Sequence, residues 1–574
     1  MRVRARVALT AVVSVLVGLS GFGAATTASA ATAAPVKCAA RPTAAGYVKT
    51  ENRRPGATGW QYNARAVTHV EAFADTTSAR CGQTVRLMVS TRAPRATVTA
   101  WRMGYYGGAG GRAVYTSGWF ATKAQPAAVV APATRSPRAP WKPSVSIRLD
   151  GRFTPGSYLL KISDSRGGQT FVPLTVNDPA STSPLVLVSE PLTWTAYNSW
   201  GGSSAYKGAK ITYADRSLVA SLDRPYKSNH GMATYLTDEY PLIRLAEQRG
   251  LDVAYVTDVD VHRWPALLLA HRGVLLGAHA EYWSARMRAG FDAARDAGVN
   301  LAVFGANTAY WQVRPMSSSF GADRAFAIYR EPELDPVTAG DPESSTTRFR
   351  DLPAAQPEST LLGEQYTGCP GRHGDMVLTT PDWPFPPNTT PGTVLPMGVR
   401  QEFDKVIPDA VPANADLQVM ASSPVYGCYD NNSTYEANVS YYTAPSGAGV
   451  FAAGTLGWVC HLYSSTCLYG GATDALTRSV FTATTITLIT EMAQGPLGLT
   501  HPSHASAAAM SSSMPGTGRV MIAGDAGEGD GDDSPPPARF DGEGAGTPVS
   551  WLPSEVTVGG IWPGLPDGAV PTDG

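Results

Sequence analysis

In the first third of the chain, apolar residues recur at every second position. Val85, Leu87 and Val89 follow this rule, as do Val145, Ile147 and Leu149, and then Tyr158, Leu160 and Ile162. Side chains of an extended strand point alternately to opposite faces, so this period predicts half-buried antiparallel strands. Gly- and Pro-containing turns separate the runs, and no helical spacing competes with them. The pattern predicts an all-β sandwich over 38–178. The run from Tyr105 to Gly111, with four glycines, predicts a hairpin tip that exposes aromatic rings.

After a linker rich in Asp, Pro, Ser and Thr at 177–184, the pattern changes. Leu185–Val188, Val253–Val256, Val274–Leu276 and Leu301–Phe304 are short continuous apolar runs of the kind buried on both faces in a parallel sheet. Between them lie helical faces. Leu242, Leu245 and Ala246 share one, ended near Gly250. Met287, Phe291 and Ala294 share another, with Ser284 placed to cap its start and Gly298 to end it. Strands alternating with helices predict an α/β fold over 184–495, a mostly parallel doubly wound sheet. The stretch 320–450 reads as irregular insertions that wall the site. Gly449–Ala453 reads as a returning strand and 474–493 as a final helix. Beyond about 500, Ser, Ala, Gly and acidic runs predict a tail that cannot bury enough apolar surface to order itself.

Composition adds compartment and excludes one class of partner. The chain has 574 residues, with 46 Lys and Arg against 47 Asp and Glu, so no basic field points to nucleic acid. Arg2, Arg4 and Arg6 precede an apolar stretch, and Ala28-Ser29-Ala30 offers small residues for cleavage. Residues 1–30 therefore read as an export signal, and the mature chain is expected to be secreted without a membrane span. Six scattered cysteines with no CxxC pair fit an oxidising compartment. The expected pairs are Cys38–Cys81, Cys460–Cys467 and Cys369–Cys428. Self-association is left open.

Ligands of an open parallel sheet bind beyond the carboxyl ends of its strands. That rule selects Thr193–Gly202, Gly277–Trp283 and Gly305–Trp311. His279 and Glu281, two residues apart, project the same way in extended chain, where an imidazole and a carboxylate bind a metal or move protons. The other reading of that pair is structural, a His–Glu contact that holds the loop. No Ser or Cys nucleophile elbow follows a strand of this region, so a metal-activated water is the simpler hydrolytic reading.

The segments Trp101–Gly108, Tyr197–Gly202, His279–Trp283 and Gly305–Trp311 together resemble the large subunit of N,N-dimethylformamidase, over roughly 45–495. The resemblance implies a core similar to class I glutamine amidotransferases, preceded by a β-sandwich. It also implies a mononuclear iron held by two tyrosines and a glutamate, and hydrolysis of an amide or related C–N bond. Carried onto this sequence, it makes Glu281 the glutamate ligand, Tyr197 and Tyr240 the candidate tyrosines, and His279 and Asn307 the substrate-side residues. Tyr206, Tyr235 and Tyr282 are the fallback tyrosines. The alternative function is a non-catalytic extracellular module that binds glycans through the sandwich and its exposed aromatic rings.

Overall fold

The computed structural model describes residues 35–63, 69–369, 374–380, 383–412, 415–426, 434–463, 466–467 and 471–505. The leader-like segment 1–30 and the tail beyond 505 lie outside the described residues.

The alternating runs form two antiparallel sheets. One is built from β1 (Glu71–Ala74), β2 (Thr84–Ser90) and the later Val145–Arg148. The other is built around β3 (Arg95–Met103) and β4 (Gly111–Thr116), together with the strands Gly156–Asp164 and Gln169–Val176. In chain order the last three are β5 (Val145–Arg148), β6 (Gly156–Asp164) and β7 (Gln169–Val176). Val85, Leu87, Val98, Ile147, Leu160, Ile162 and Val172 meet between the sheets. The opposite face of the second sheet is also covered. Trp101, Met103, Leu159 and Phe171 enter a second core shared with the α/β part. Strands buried on both faces carry apolar residues at the intervening positions too, as Leu159 of β6 and Trp101 of β3 show. Cys38 and Cys81 are disulfide-bonded to one another. Cys369 and Cys460 are disulfide-bonded too, while the side chains of Cys428 and Cys467 are outside the described set.

The apolar runs of the second half form a seven-stranded sheet. Its strands are β8 (Leu185–Ser189), β9 (Val253–Thr257), β10 (Gly273–Leu276), β11 (Asn300–Val303), β12 (Gln418–Tyr426), β13 (Thr434–Thr443) and β14 (Gly449–Ala452). The order is β9-β8-β10-β11-β14-β13-β12. The first five run parallel, β13 pairs antiparallel to β14, and β12 pairs antiparallel to β13. Its faces are covered by different elements. Leu185, Leu187, Tyr255 and Leu275 pack with Leu242 and Ile243 of α2 (Tyr240–Gln248) and Phe481 and Leu488 of α4 (Ala475–Met492). Val186, Val188, Val274 and Leu276 pack with Met287, Phe291 and Ala294 of α3 (Ala285–Asp296). The Ser284 hydroxyl accepts from the Met287 N–H at 3.2 Å and starts α3. Gly298, at φ 91°, ends it in the left-handed conformation that glycine adopts without strain.

Three expectations change. The stretch 320–450 is not wholly irregular, because β12 and β13 extend the sheet from the edge of β14. The segment after β8 is not a loop but helix α1 (Pro191–Tyr197), opened by a proline at its first position, where no N–H is needed. The 105–111 tip turns one of its two rings inward, while Tyr105 stays half-buried. Tyr106 is buried, its hydroxyl accepting from Arg102 at 2.9 Å and donating to Glu51 at 3.0 Å. Among the described residues, no helix is long and apolar enough to cross a membrane.

The two parts meet through a buried ion pair. Arg102 of β3 donates from both terminal nitrogens to Glu247 of α2, at 2.7 and 3.0 Å, and neither side chain is exposed. The remaining capacity is filled by the Pro155 carbonyl on one side and by Tyr255 and Asn52 on the other.

Candidate functional site

At its carboxyl end, β8 turns into α1, which sets Tyr197 at the helix terminus with its hydroxyl donating to Glu281 Oε2 at 2.7 Å. Gly201 and Gly202, at φ 82° and 94°, then reverse the chain. The reversal brings Tyr206 back to stack on Tyr197, ring centroids 4.4 Å apart. The Tyr206 hydroxyl lies 3.1 Å from each Glu281 oxygen. Tyr282 follows Glu281, and its hydroxyl meets that of Tyr206 in a short contact.

Glu281 itself is held from its backbone. Its N–H donates to the Thr193 hydroxyl at 3.1 Å, and its carbonyl accepts from the Tyr310 and Trp311 N–H groups at 3.0 and 3.1 Å. Those amides belong to the loop after β11, which lies directly on the loop after β10. Ala309 N–H donates to the Ala280 carbonyl at 2.9 Å and Ala306 N–H to the Ala278 carbonyl at 3.3 Å. At Gly305 a Cβ would stand 1.8 Å from the Ala278 carbonyl oxygen, so only glycine allows this approach.

His279 Nε2 lies 3.2 Å from Glu281 and 3.4 Å from Glu402, as charge contacts without a well-aligned hydrogen bond to either. Asn307, in the left-handed conformation at φ 53°, donates from Nδ2 to Glu402 at 2.8 Å and from its backbone N–H to Asp404 at 2.8 Å. Its Oδ1 is buried without a hydrogen-bond partner. Arg330 closes the far side, donating to the Tyr282 hydroxyl at 2.6 Å. Glu281 is buried, whereas the side chains of His279 and Glu402 are 13% and 19% exposed. His279 and Glu402 are thus the members of the cluster nearest to solvent.

The electrostatics follow from these neighbours. Burial disfavours the Glu281 charge, but His279, Arg330 and the Tyr197 hydroxyl outweigh it and hold the carboxyl below its ordinary range. Burial likewise opposes charge on His279, and the Glu402 and Glu281 carboxylates overcome it, keeping the imidazole protonated well above its usual range. Burial, reinforced by Glu281, pushes the Tyr197 and Tyr206 phenols far up. In this state they are therefore hydrogen-bond donors to an ionised carboxylate.

The arrangement brings together four of the five residues singled out from sequence: Tyr197, His279, Glu281 and Asn307. Tyr240 stands apart. It begins α2, on the face of the sheet opposite to that of Tyr282, and its hydroxyl donates to the Gly110 carbonyl at 3.0 Å beside Trp60. Tyr235 also belongs to the join with the β-rich part, accepting from Ser157 at 2.8 Å. The second phenol on Glu281 is Tyr206. Glu402 and Arg330 were not singled out from sequence. Both sit in the insertion, where no periodicity marks them.

Among the described residues, no group of three His, Cys, Asp or Glu side chains is arranged to hold a metal ion. Any ion here would draw on the phenols. Tyr197 and Tyr206 each place a phenolic oxygen within 3.1 Å of the Glu281 carboxylate, a donor set that fits a hard cation replacing the two phenolic protons.

Asp404 supplies a pH test. Burial, against the Asn307 N–H bond, pushes its carboxyl up to about 8. The folded chain keeps a proton that the unfolded chain gives up near about pH 4. Stability present below that pH is therefore lost as pH climbs towards 8. Thermal unfolding midpoints are expected to fall more steeply from pH 5 to 8 in the parent than in Asp404→Asn. Equal slopes would contradict this assignment.

The family model described as N,N-dimethylformamidase beta subunit-like, C-terminal, matches residues 97–470. No curated protein gives a significant match to the chain.

Proposed function

From the premise that this chain belongs to the N,N-dimethylformamidase beta subunit-like family, whose model spans about two thirds of it, we propose that it is an exported, iron-dependent hydrolase of an amide or related C–N bond. The observation that carries this reading is the convergence of Tyr197 and Tyr206 on the ionised Glu281, beside His279. These three oxygen ligands would hold the ion. Once bound, Fe(III) would supply Lewis acidity towards a carbonyl oxygen or a water.

The chain's own residues supply the rest. His279, kept protonated by two carboxylates, donates to negative charge developing on the substrate oxygen. Glu402, the more exposed carboxylate beside it, is placed to take up and return a proton. Asn307 is anchored by its backbone N–H to Asp404 and by its carboxamide N–H to Glu402, which leaves the carboxamide oxygen without a partner. The amidotransferase-like winding belongs to the same reading, supported by helices on both faces of a largely parallel sheet. Export is supported by the leader-like residues 1–30 and by Cys38–Cys81.

Elemental analysis of the purified protein tests this. Near-stoichiometric iron is expected in the parent and in Tyr240→Phe, and its loss in Tyr197→Phe and Tyr206→Phe. A folded parent without metal would overturn the reading.

A further inference from the structure

Three phenols, not two, crowd Glu281, and the chain distinguishes them. Tyr282 lies next to the carboxylate in sequence, and its hydroxyl touches that of Tyr206. A phenol has one proton to donate and two lone pairs to accept with. The Tyr282 oxygen already accepts a 2.6 Å bond from the Arg330 guanidinium. Tyr206 is 3.1 Å from both oxygens of Glu281, an acceptor that takes its proton. The remaining contact is then polarised one way: Tyr282 donates to Tyr206. The chain of donors runs Arg330, Tyr282, Tyr206, Glu281.

Arg330 is fixed for this task. It is buried, with its guanidinium 4.0 Å over the Tyr206 ring and 4.8 Å from that of Trp311. Its backbone is left-handed at φ 67°, a conformation non-glycine residues adopt only where surroundings impose it. Its Nε has no hydrogen-bond partner. The guanidinium is thus held by stacking and by its bond to Tyr282.

We propose that Tyr282 and Arg330 are positioning residues that keep Tyr282 out of the ligand set and make it the hydrogen-bond donor to Tyr206 when Tyr206 holds the ion. The proposal rests on the reading that Tyr197, Tyr206 and Glu281 bind iron. A guanidinium against the Tyr282 oxygen repels a second cation from that oxygen. The same cation directs the Tyr282 proton to the neighbouring phenolate, as outer partners of metal ligands commonly do.

The test compares iron content and the phenolate-to-iron absorption band in the purified full chain. Tyr282→Phe keeps the ring and loses only the hydroxyl. It is expected to retain parental iron, with the band displaced to longer wavelength because the phenolate has lost a hydrogen bond. Arg330→Met is expected to retain iron with a displacement in the same direction, and Arg330→Lys to return the band part of the way. Tyr206→Phe is expected to lose the iron. Loss of iron in Tyr282→Phe as complete as in Tyr206→Phe would make Tyr282 a ligand and overturn the proposal. An unmoved band in both Tyr282→Phe and Arg330→Met would overturn it as well. Full iron in Tyr206→Phe, or none in the parent, would instead overturn the underlying ligand assignment and the proposal with it.

Discussion

Replacing Glu281 by glutamine is expected to strip the site of metal and to lower turnover of small amides by about 10²–10³-fold, the order that single charge-stabilising groups contribute. The side chain's shape is preserved, so the effect isolates its charge. Two phenols donate to that carboxylate and His279 lies 3.2 Å away. Glutamine can still accept from a phenol, but it cannot balance a cation on those oxygens. It also leaves the buried Arg330 with less negative charge nearby, so the fold should lose about 1–3 kcal/mol without collapsing. Metal analysis, circular dichroism and amide turnover on the same preparation separate these effects. A glutamine variant with full metal and full turnover would remove Glu281 from the mechanism.

The second large effect lies away from the site. Glu247→Gln is expected to destabilise the protein by about 3–5 kcal/mol, because it leaves the Arg102 guanidinium buried against a neutral partner. Both side chains are fully enclosed, and the pair joins β3 to α2 across the boundary between the β-rich and α/β parts. Desolvation of two charges offsets much of their attraction, so the intact pair adds little net stability. Removing both charges with packed apolar side chains, as in Arg102→Met with Glu247→Leu, should recover most of the loss. Urea unfolding of the single and double variants measures this directly. A single variant with parental stability would show that water reaches the pair.

The sheet strands could be read from sequence because parallel strands buried on both faces leave short, continuous apolar runs at β8, β9, β10 and β11. The cap at Ser284 and the stop at Gly298 were readable for the same local reason, each depending on one residue's chemistry. β12 and β13 were not. Pro424, Ser422, Ser423 and Asn438 interrupt their apolar positions, and those strands owe their place to pairing with β14 rather than to propensity. Helix α1 was hidden by length, since seven residues carry too little periodicity to distinguish from a loop.

The site divides in the same way. Glu281, His279 and Asn307 stand within a few residues of strand ends, where the topology alone marks them. Tyr197 also follows a strand, with the helix as its intermediate. Tyr206 comes back through a glycine turn, and Glu402 and Arg330 arrive from an insertion of more than a hundred residues. Their approach is a tertiary fact that no local pattern encodes. The same holds for the exclusion of Tyr240, which depends on which face of the sheet α2 covers.

Gly305 has a practical side for anyone reshaping this pocket. Because the segment after β11 rests on the Ala278 carbonyl with no space for a side chain, the two loops behave as one casting. A library that lengthens or shortens 278–283 against a fixed partner loop will break this backbone contact. One that varies both together, with glycine kept at 305, samples shapes that this backbone can take. Grafting the pocket onto another parallel sheet therefore means moving both loops at once, at the separation set by neighbouring strands.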